Sequence, residues 1–490
     1  MGLTRRDFFK QTGCALSATA LLAGLEQLGM ISAMAQTPES VSDYRALVCI
    51  FMSGGSDGNN VIIPYDHYND AGGYAAVRNA SGLAVPQSAL LQITPFNLGV
   101  KYGLHPNLSP EVANPGSAQG LLPIWQAGKL AVLCNVGTLI QPLTKTQYQS
   151  SPSLRPYQLF SHSDQVTQQQ TSISNTPAQT GWGGRISDVL ANVNGSAPLP
   201  MVISTSGTAL FTAGQLTRPL SVSSTGALNT LFDLTNAPGN PPEGSSRLAA
   251  FNQIRALDNN LALVKATNDS MAQAILTDQA FSQDPTLTTV FPATSLGNQL
   301  KQIAKLIKAN LTQGSLSLKR QIFFCTIGGF DTHTNQTSAN PTSPNGAGGQ
   351  GNLLTQLSQA MKAFYEATIE LEQIQPGASS QITTFTLSDF GRTLQPSGSG
   401  AAAVGSDHGW GSHQFIMGGA VQGGRFYGTF PTLALNGPDD TDNRGRWIPT
   451  TSIDQYAATL ARWYGVADAD IPTVLPFIGR FPTSNLGFLG

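Results

Sequence analysis

Five short runs of the chain are apolar at nearly every position rather than at alternate ones. They are ALVCIFM (Ala46 to Met52), LAVLCNV (Leu130 to Val136), PMVIS (Pro200 to Ser204), QIFFCTI (Gln321 to Ile327) and ITTFTL (Ile382 to Leu387). Strands apolar on both faces suit a parallel sheet covered by helices. Each run ends in turn chemistry: SGGSDGNN, GTL, TSG, GGFDTH and SDFGR. Helical spacing lies between them. Leu300, Ile303, Leu306 and Ile307 share one stripe, and Leu353, Leu357, Ala360, Met361, Phe364 and Leu371 share another. Ser452 and Gln455 form a capping box that opens a helix near the C-terminus. The pattern predicts an α/β fold with a mostly parallel sheet and helices on both faces. Polar stretches near 140–180, 205–245 and 334–350 read as long surface insertions.

Composition narrows the class. Charged residues are 11% of the 490, against roughly 25% in an average soluble domain, while 40% are hydrophobic. That is enough for a core, and the formal charge is only −2. Without a Lys/Arg run, nucleic acid is excluded as a main partner, and there is no polybasic handle for a membrane. The first 35 residues read as an address: TRRDFFK (Thr4 to Lys10), the apolar run CALSATALLAGL, and Ala-Met-Ala at 33–35. This resembles a bacterial twin-arginine leader, so the expected partner is that export machinery and the expected location is the periplasm or beyond. Residues 36–490 are then expected as a single domain. No later run reaches the roughly 18 apolar residues that a membrane span needs. Cys14 would leave with the leader. Cys49, Cys134 and Cys325 read as buried thiols with at most one disulfide.

Candidate chemistry gathers where the strands end. In open α/β sheets, ligands bind beyond the carboxyl ends of the strands. Asp57 follows the first run, Asp331 and His333 the fourth, and Asp389 the fifth; Asp407, His408 and His413 come from the next loop, SDHGWGSH. The chain has only six histidines, so this concentration of imidazole and carboxylate points to a divalent metal. Zn, Mn or Fe fits such donors better than Mg or Ca. Each piece also has a plainer role, Asp57 as an Asx turn and Asp389 as a helix cap. A second group, Ser161, His162, Ser163 and Asp164, reads either as a helix cap or as a nucleophile placed at a helix start. His67 and His105 read as structural. DDTDNRG (Asp439 to Gly445) begins like a calcium loop, but Arg444 breaks the pattern and leaves a turn. SGGSDGNN lacks both the lysine of a phosphate-cradling loop and the dinucleotide glycine pattern.

FMSGGSDGNN, GGFDTH, SDFGRT and DHGWGSHQFIMGGAVQGGRFYG, in this order after such a leader, resemble one exported bacterial family of unknown function. That family is sulfatase-like and is placed in the alkaline phosphatase and sulfatase superfamily. The resemblance implies an alkaline phosphatase-like fold and metal-assisted hydrolysis of phosphate or sulfate esters. Carried over, Asp57 matches the first-strand metal aspartate, Asp389 the next metal position, and His408 or His413 the late metal histidine. Ser161 or Ser163, flanking His162, is the implied nucleophile. Phe390 stands where a ligand His or Asn is expected, Asp331-Thr-His333 has a shortened gap, and no sulfatase signature is present. These departures argue against a full two-zinc site and against a formylglycine. Two readings follow: an exported metal-dependent ester hydrolase, or a non-catalytic metal-binding protein that holds a ligand or another protein outside the cytoplasm.

Overall fold

The first strand, β1 (Arg45–Met52), lies inside the sheet because both of its faces are apolar and buried. Ala46, Val48, Ile50 and Met52 enter one core, while Leu47, Cys49 and Phe51 enter another on the opposite face. A period-two strand with apolar residues at both parities has no face to leave in water. The computed structural model describes residues 44–110, 120–228, 244–257, 259–281, 284–337, 349–398 and 404–490. The leader expected at 1–35, with Cys14, lies outside the described residues.

Strands follow in chain order as β2 (Ile62–Pro64), β3 (Leu91–Ile93), β4 (Tyr102–Leu104), β5 (Leu130–Gly137), β6 (Val202–Ser204), β7 (Leu220–Ser221), β8 (Arg320–Ile327), β9 (Ile382–Ser388), β10 (Arg392–Ser397), β11 (Gly405–His408), β12 (Ser412–Gly418), β13 (Phe426–Tyr427) and β14 (Thr451–Ser452). The large sheet runs β13-β5-β12-β9-β1-β8-β6-β7, with β14 also on β5. Only β12 among these strands runs against its neighbours; every other pairing is parallel. The expected α/β class with a mostly parallel sheet is what the molecule has. Two smaller sheets, β10-β11 and β2-β4-β3, sit apart from it.

Helices used below are α1 (His162–Thr171), α2 (Trp182–Val189), α3 (Gly244–Arg255), α4 (Ala262–Ala280), α5 (Ser295–Thr312), α6 (Gly349–Glu370) and α7 (Ile453–Tyr464). Residues of α5 and α6 fill one core, and residues of α2 and α7 the other, so helices cover both faces. Leu300, Ile303, Leu306 and Ile307 of α5 are all buried, as the stripe requires. The capping box Ser452/Gln455 opens α7 with both reciprocal bonds made. Helices α3 and α4 lie almost wholly beyond the 205–245 polar stretch, in chain to which the apolar pattern assigns no element. Their apolar residues do not gather on one face, and Ile254, Leu263 and Leu276 stay exposed, so the periodicity is weak.

The three cysteines are free and buried. Cys49 belongs to the core on one face of the sheet, and Cys134 and Cys325 to the core on the other. Asp440 explains DDTDNRG as a turn, because its carboxylate accepts from the backbone N–H groups of Asn436, Asp442, Gly445 and Arg446.

One buried carboxyl in α7 carries a measurable pH dependence. Burial pushes Asp454 up to about 7, and Ser172, Arg185 and Arg480 pull the other way without cancelling it. The folded chain therefore keeps a proton that the unfolded chain releases near pH 3.9. Stability from this group is complete below that pH and falls by up to about 1.4 kcal/mol per pH unit as pH rises towards 7. Asp454→Asn is expected to remove that slope. Denaturant unfolding of both proteins between pH 5 and 8 checks it: parallel stability curves would exclude Asp454 as the source.

Candidate metal centre

Register brings the loops together. Met52 of β1 is level with Ile327 of β8 and Ser388 of β9, so the segments starting at Ser53, Gly328 and Asp389 leave the sheet at one edge. Ser412, the first residue of antiparallel β12, is level with Val136 near the end of β5, which brings Asp407 and His408 to the same edge. Helix α1 follows β5 and adds His162 there.

At this edge, one ligating atom each from His162, Asp331, His333 and His408 lies within 4.8 Å of all the others. Asp331 Oδ1 is 3.3 Å from His162 Nε2, 3.1 Å from His333 Nε2 and 3.7 Å from His408 Nε2. The Nε2 atoms of His333 and His408 are 2.9 Å apart. Donors tetrahedrally arranged around an ion with bonds of about 2.05 Å sit about 3.3 Å from one another.

The other ring nitrogen of each histidine decides which tautomer is present. His162 Nδ1 is 2.7 Å from Asp389 Oδ2, His333 Nδ1 is 3.0 Å from Asp407 Oδ1, and His408 Nδ1 is 2.7 Å from the Phe160 carbonyl. All three partners accept, so in each neutral ring Nδ1 carries the proton and Nε2 presents a lone pair. Three lone pairs and a carboxylate oxygen thus face one point. His162 Nε2 is buried and meets no hydrogen-bond partner. Such a set repels itself unless a cation sits between its members, and the residues fit a divalent ion in both distance and donor chemistry.

Local sequence explains how each side chain is held. Gly54 and Gly55 have φ of +114° and +82°. A Cβ on Gly54 would lie 2.4 Å from the Asp331 nitrogen, and one on Gly55 would lie 2.6 Å from the Phe390 ring. Only glycine lets this loop pass so close. Gly54 N–H donates to Asp389 Oδ1, which fixes the carboxylate that holds His162. Phe160 sits at φ +71°, a strained conformation for a phenylalanine, and its carbonyl meets His408. Helix α1 is anchored by polar contacts: Gln165 accepts from Thr138, Gln168 donates to the Tyr157 carbonyl, and Gln170 accepts from Phe211 N–H. The Phe390 ring packs 4.7 Å from the His162 ring and 4.8 Å from the His408 ring, as a wall behind two imidazoles.

Electrostatics follow from these contacts. Burial pushes Asp389 up, partly offset by His162 and the Gly54 N–H. Partial burial also acts on Asp331 and Asp407, but Arg392 at the first and Arg444 at the second outweigh it and hold both below the ordinary range. Burial pushes His408 down.

The sequence-derived residues divide into three groups. Asp331, His333 and His408 converge, and His162, read from sequence with its flanking serines, belongs with them. Asp389 and Asp407 contact the convergent histidines from outside. Asp57 and His413 lie elsewhere. Asp57 is buried against Arg78 Nη1 at 2.7 Å, accepts from Asn59 N–H in an Asx-type cap, and also receives Gln336, so its lone pairs are committed. His413 is buried, stacks at 11° on Phe430 and accepts from Asn135 N–H; burial lowers it to about 3, so it is neutral. Ser161 donates to Asp164 at 2.6 Å and lies 3.2 Å from the Ser163 hydroxyl, at the start of α1. His67 pairs with Asp70 on the surface, and His105 caps a buried turn through Asn107 N–H. Sequence reasoning gave no role in the site to Arg392, Arg444 or the Phe160 carbonyl. An arginine in SDFGRT directly after a strand end was the one available signal.

The fold and site together define an α/β protein whose strand-end loops converge on a His₃Asp cluster. Residues 44–443 match the family described as "Protein of unknown function (DUF1501)", and the chain belongs to that family. No curated protein sequence matches it. Among solved structures it is similar to Ps i-CgsB in complex with k-i-k-neocarrahexaose, at 10% identity over 90% of this chain and 77% of that one, with a TM-score of 0.33. It is also similar to PsFucS1 sulfatase from Pseudoalteromonas sp., at 10% identity over 91% and 72%, TM-score 0.31. Wild-type alkaline phosphatase PafA follows at 10% identity over 71% and 63%, TM-score 0.24. Likenesses this distant carry no weight for what the site does.

Proposed function

We propose that this chain is an exported, single-metal hydrolase of phosphate or sulfate esters. One observation carries the metal: three imidazole lone pairs and a carboxylate oxygen converge with each ring fixed from behind. His162, Asp331, His333 and His408 would hold a divalent ion of the Zn, Mn or Fe type, which when bound polarises an ester oxygen or a water. Two of the four ligands open the site to solvent: the side chains of Asp331 and His333 are 50% and 42% exposed, which suits a site that must meet a substrate. Ester hydrolysis and export come from the motif resemblance and the twin-arginine-like leader, and Ser161 and Ser163 remain the hydroxyls offered as nucleophile. A second reading has its own support. Four protein donors complete a tetrahedral shell, as in structural zinc sites, and favour a protein that keeps metal without turnover.

Elemental analysis of protein exported with its own leader, followed by assay on aryl phosphate and aryl sulfate esters, separates the readings. The expected result is one divalent ion per chain, with hydrolysis that a chelator abolishes. Metal without hydrolysis supports the binding protein, and a metal-free folded chain overturns both.

A further inference from the structure

Four donors close a tetrahedral site, yet a hydrolase needs a coordination position for its substrate. The geometry points to Asp331 as the exchangeable ligand, with Arg392 as the partner it keeps when an oxyanion takes its place on the ion. This inference rests on the metal reading above.

The four ligands are not held alike. Each histidine is fixed through Nδ1 by an acceptor on a different element, so releasing any of them strands a directed hydrogen bond. Asp331 has the most exposed side chain of the four. The oxygen it turns to the histidines, Oδ1, is also 2.5 Å from Arg392 Nη2. That carboxylate therefore has a permanent cation on its other side. Sharing one oxygen between a guanidinium and a divalent ion weakens its donation to the ion, whereas each imidazole is backed at Nδ1 by an acceptor, which strengthens its donation from Nε2.

Arg392 is built to stay in place. Its side chain is buried, and it donates from Nε to the Gly55 carbonyl, from Nη1 to the Ser406 carbonyl, and from Nη2 to the carbonyls of Gly54 and Phe330. Those carbonyls belong to the loops after β1 and β8 and to β11, so the guanidinium is fixed with or without Asp331. When Asp331 leaves the ion, its charge stays paired and no proton moves. The exchange would balance one metal–carboxylate bond to Asp331 against one metal–oxyanion bond. The three histidines would stay in place, and the position released by Asp331, the most exposed of the four side chains, would be the one open to a phosphate or sulfate group.

The test uses cobalt-loaded full-length protein and inorganic phosphate as probe, with zinc affinity from chelator competition. Asp331→Ala is expected to cost less than about tenfold in zinc affinity, and His333→Ala more than about 100-fold. Phosphate is expected to shift the visible cobalt spectrum of the wild type, and Arg392→Gln to diminish that shift. Thermal unfolding of the metal-free variants identifies any that fail to fold; Asp331→Asn, nearly isosteric, then stands in for the alanine variant. Equal losses for the Asp331 and His333 variants, or a phosphate-insensitive spectrum in cobalt-loaded wild type, overturn the exchange. Wild type that takes up no cobalt overturns the metal reading itself.

Discussion

His408→Ala releases the ion: zinc affinity falls by more than about 100-fold, while the chain stays folded. Losing one of three imidazole donors exceeds the 10–100-fold cost typical of removing a partner behind a ligand. His408 has no role in either main core, and its ring rests on Phe390 and His162 at the sheet edge. Asp389→Asn provides the graded comparison. It keeps the shape but replaces the acceptor that fixes the His162 tautomer, so its expected loss is about 10–100-fold. Competition with a chromophoric chelator gives both numbers, and circular dichroism confirms the fold. Unchanged affinity in His408→Ala would remove it from the site.

Arg78→Met should be among the most damaging single changes for stability. Arg78 and Asp57 both have fully buried side chains. Arg78 also donates to Asn60 and to the carbonyls of Thr393 and Leu394. Removing the guanidinium leaves the Asp57 carboxylate buried beside Asn59 and Gln336 with no cation, at a cost of about 3–5 kcal/mol. Denaturant unfolding measures it. Replacing both partners, as in Arg78→Met with Asp57→Asn, should recover part of the loss, since the unpaired charge is gone. A single variant within about 1 kcal/mol of wild type would show that water or another cation reaches Asp57.

Much of this architecture was legible because the physics behind it is local. Runs apolar at both parities fit only a sheet covered on both faces, and all five became strands, although the run at Pro200 shortened to Val202–Ser204. Helix α7 declared itself through its capping box. The site was legible as a region, since strand-end loops must share an edge. Which members met there was not. Asp57 and Asp389 follow strands in the same way, yet one faces Arg78 and the other His162, a choice made by contacts between segments far apart in sequence. His162 was misgrouped for a related reason. Its helix is rich in glutamine and reads as a surface cap, whereas Gln165, Gln168, Gln169 and Gln170 are buried in polar contacts that no periodicity announces.

The place of β1 in the sheet also has a consequence in time. Among the described residues, the first strand to be made is an interior strand, and its neighbours β8 and β9 are among the later ones. Cys49 of β1 and Cys325 of β8, in contact across the pair, are 276 residues apart. At a synthesis rate of about 5–20 residues per second, β1 waits roughly 14–55 seconds for that partner. Throughout that interval an eight-residue apolar strand has both edges open. The sheet is thus closed by its later strands, and the cluster of His162, Asp331, His333 and His408 cannot form until His408, long after β1, has been made.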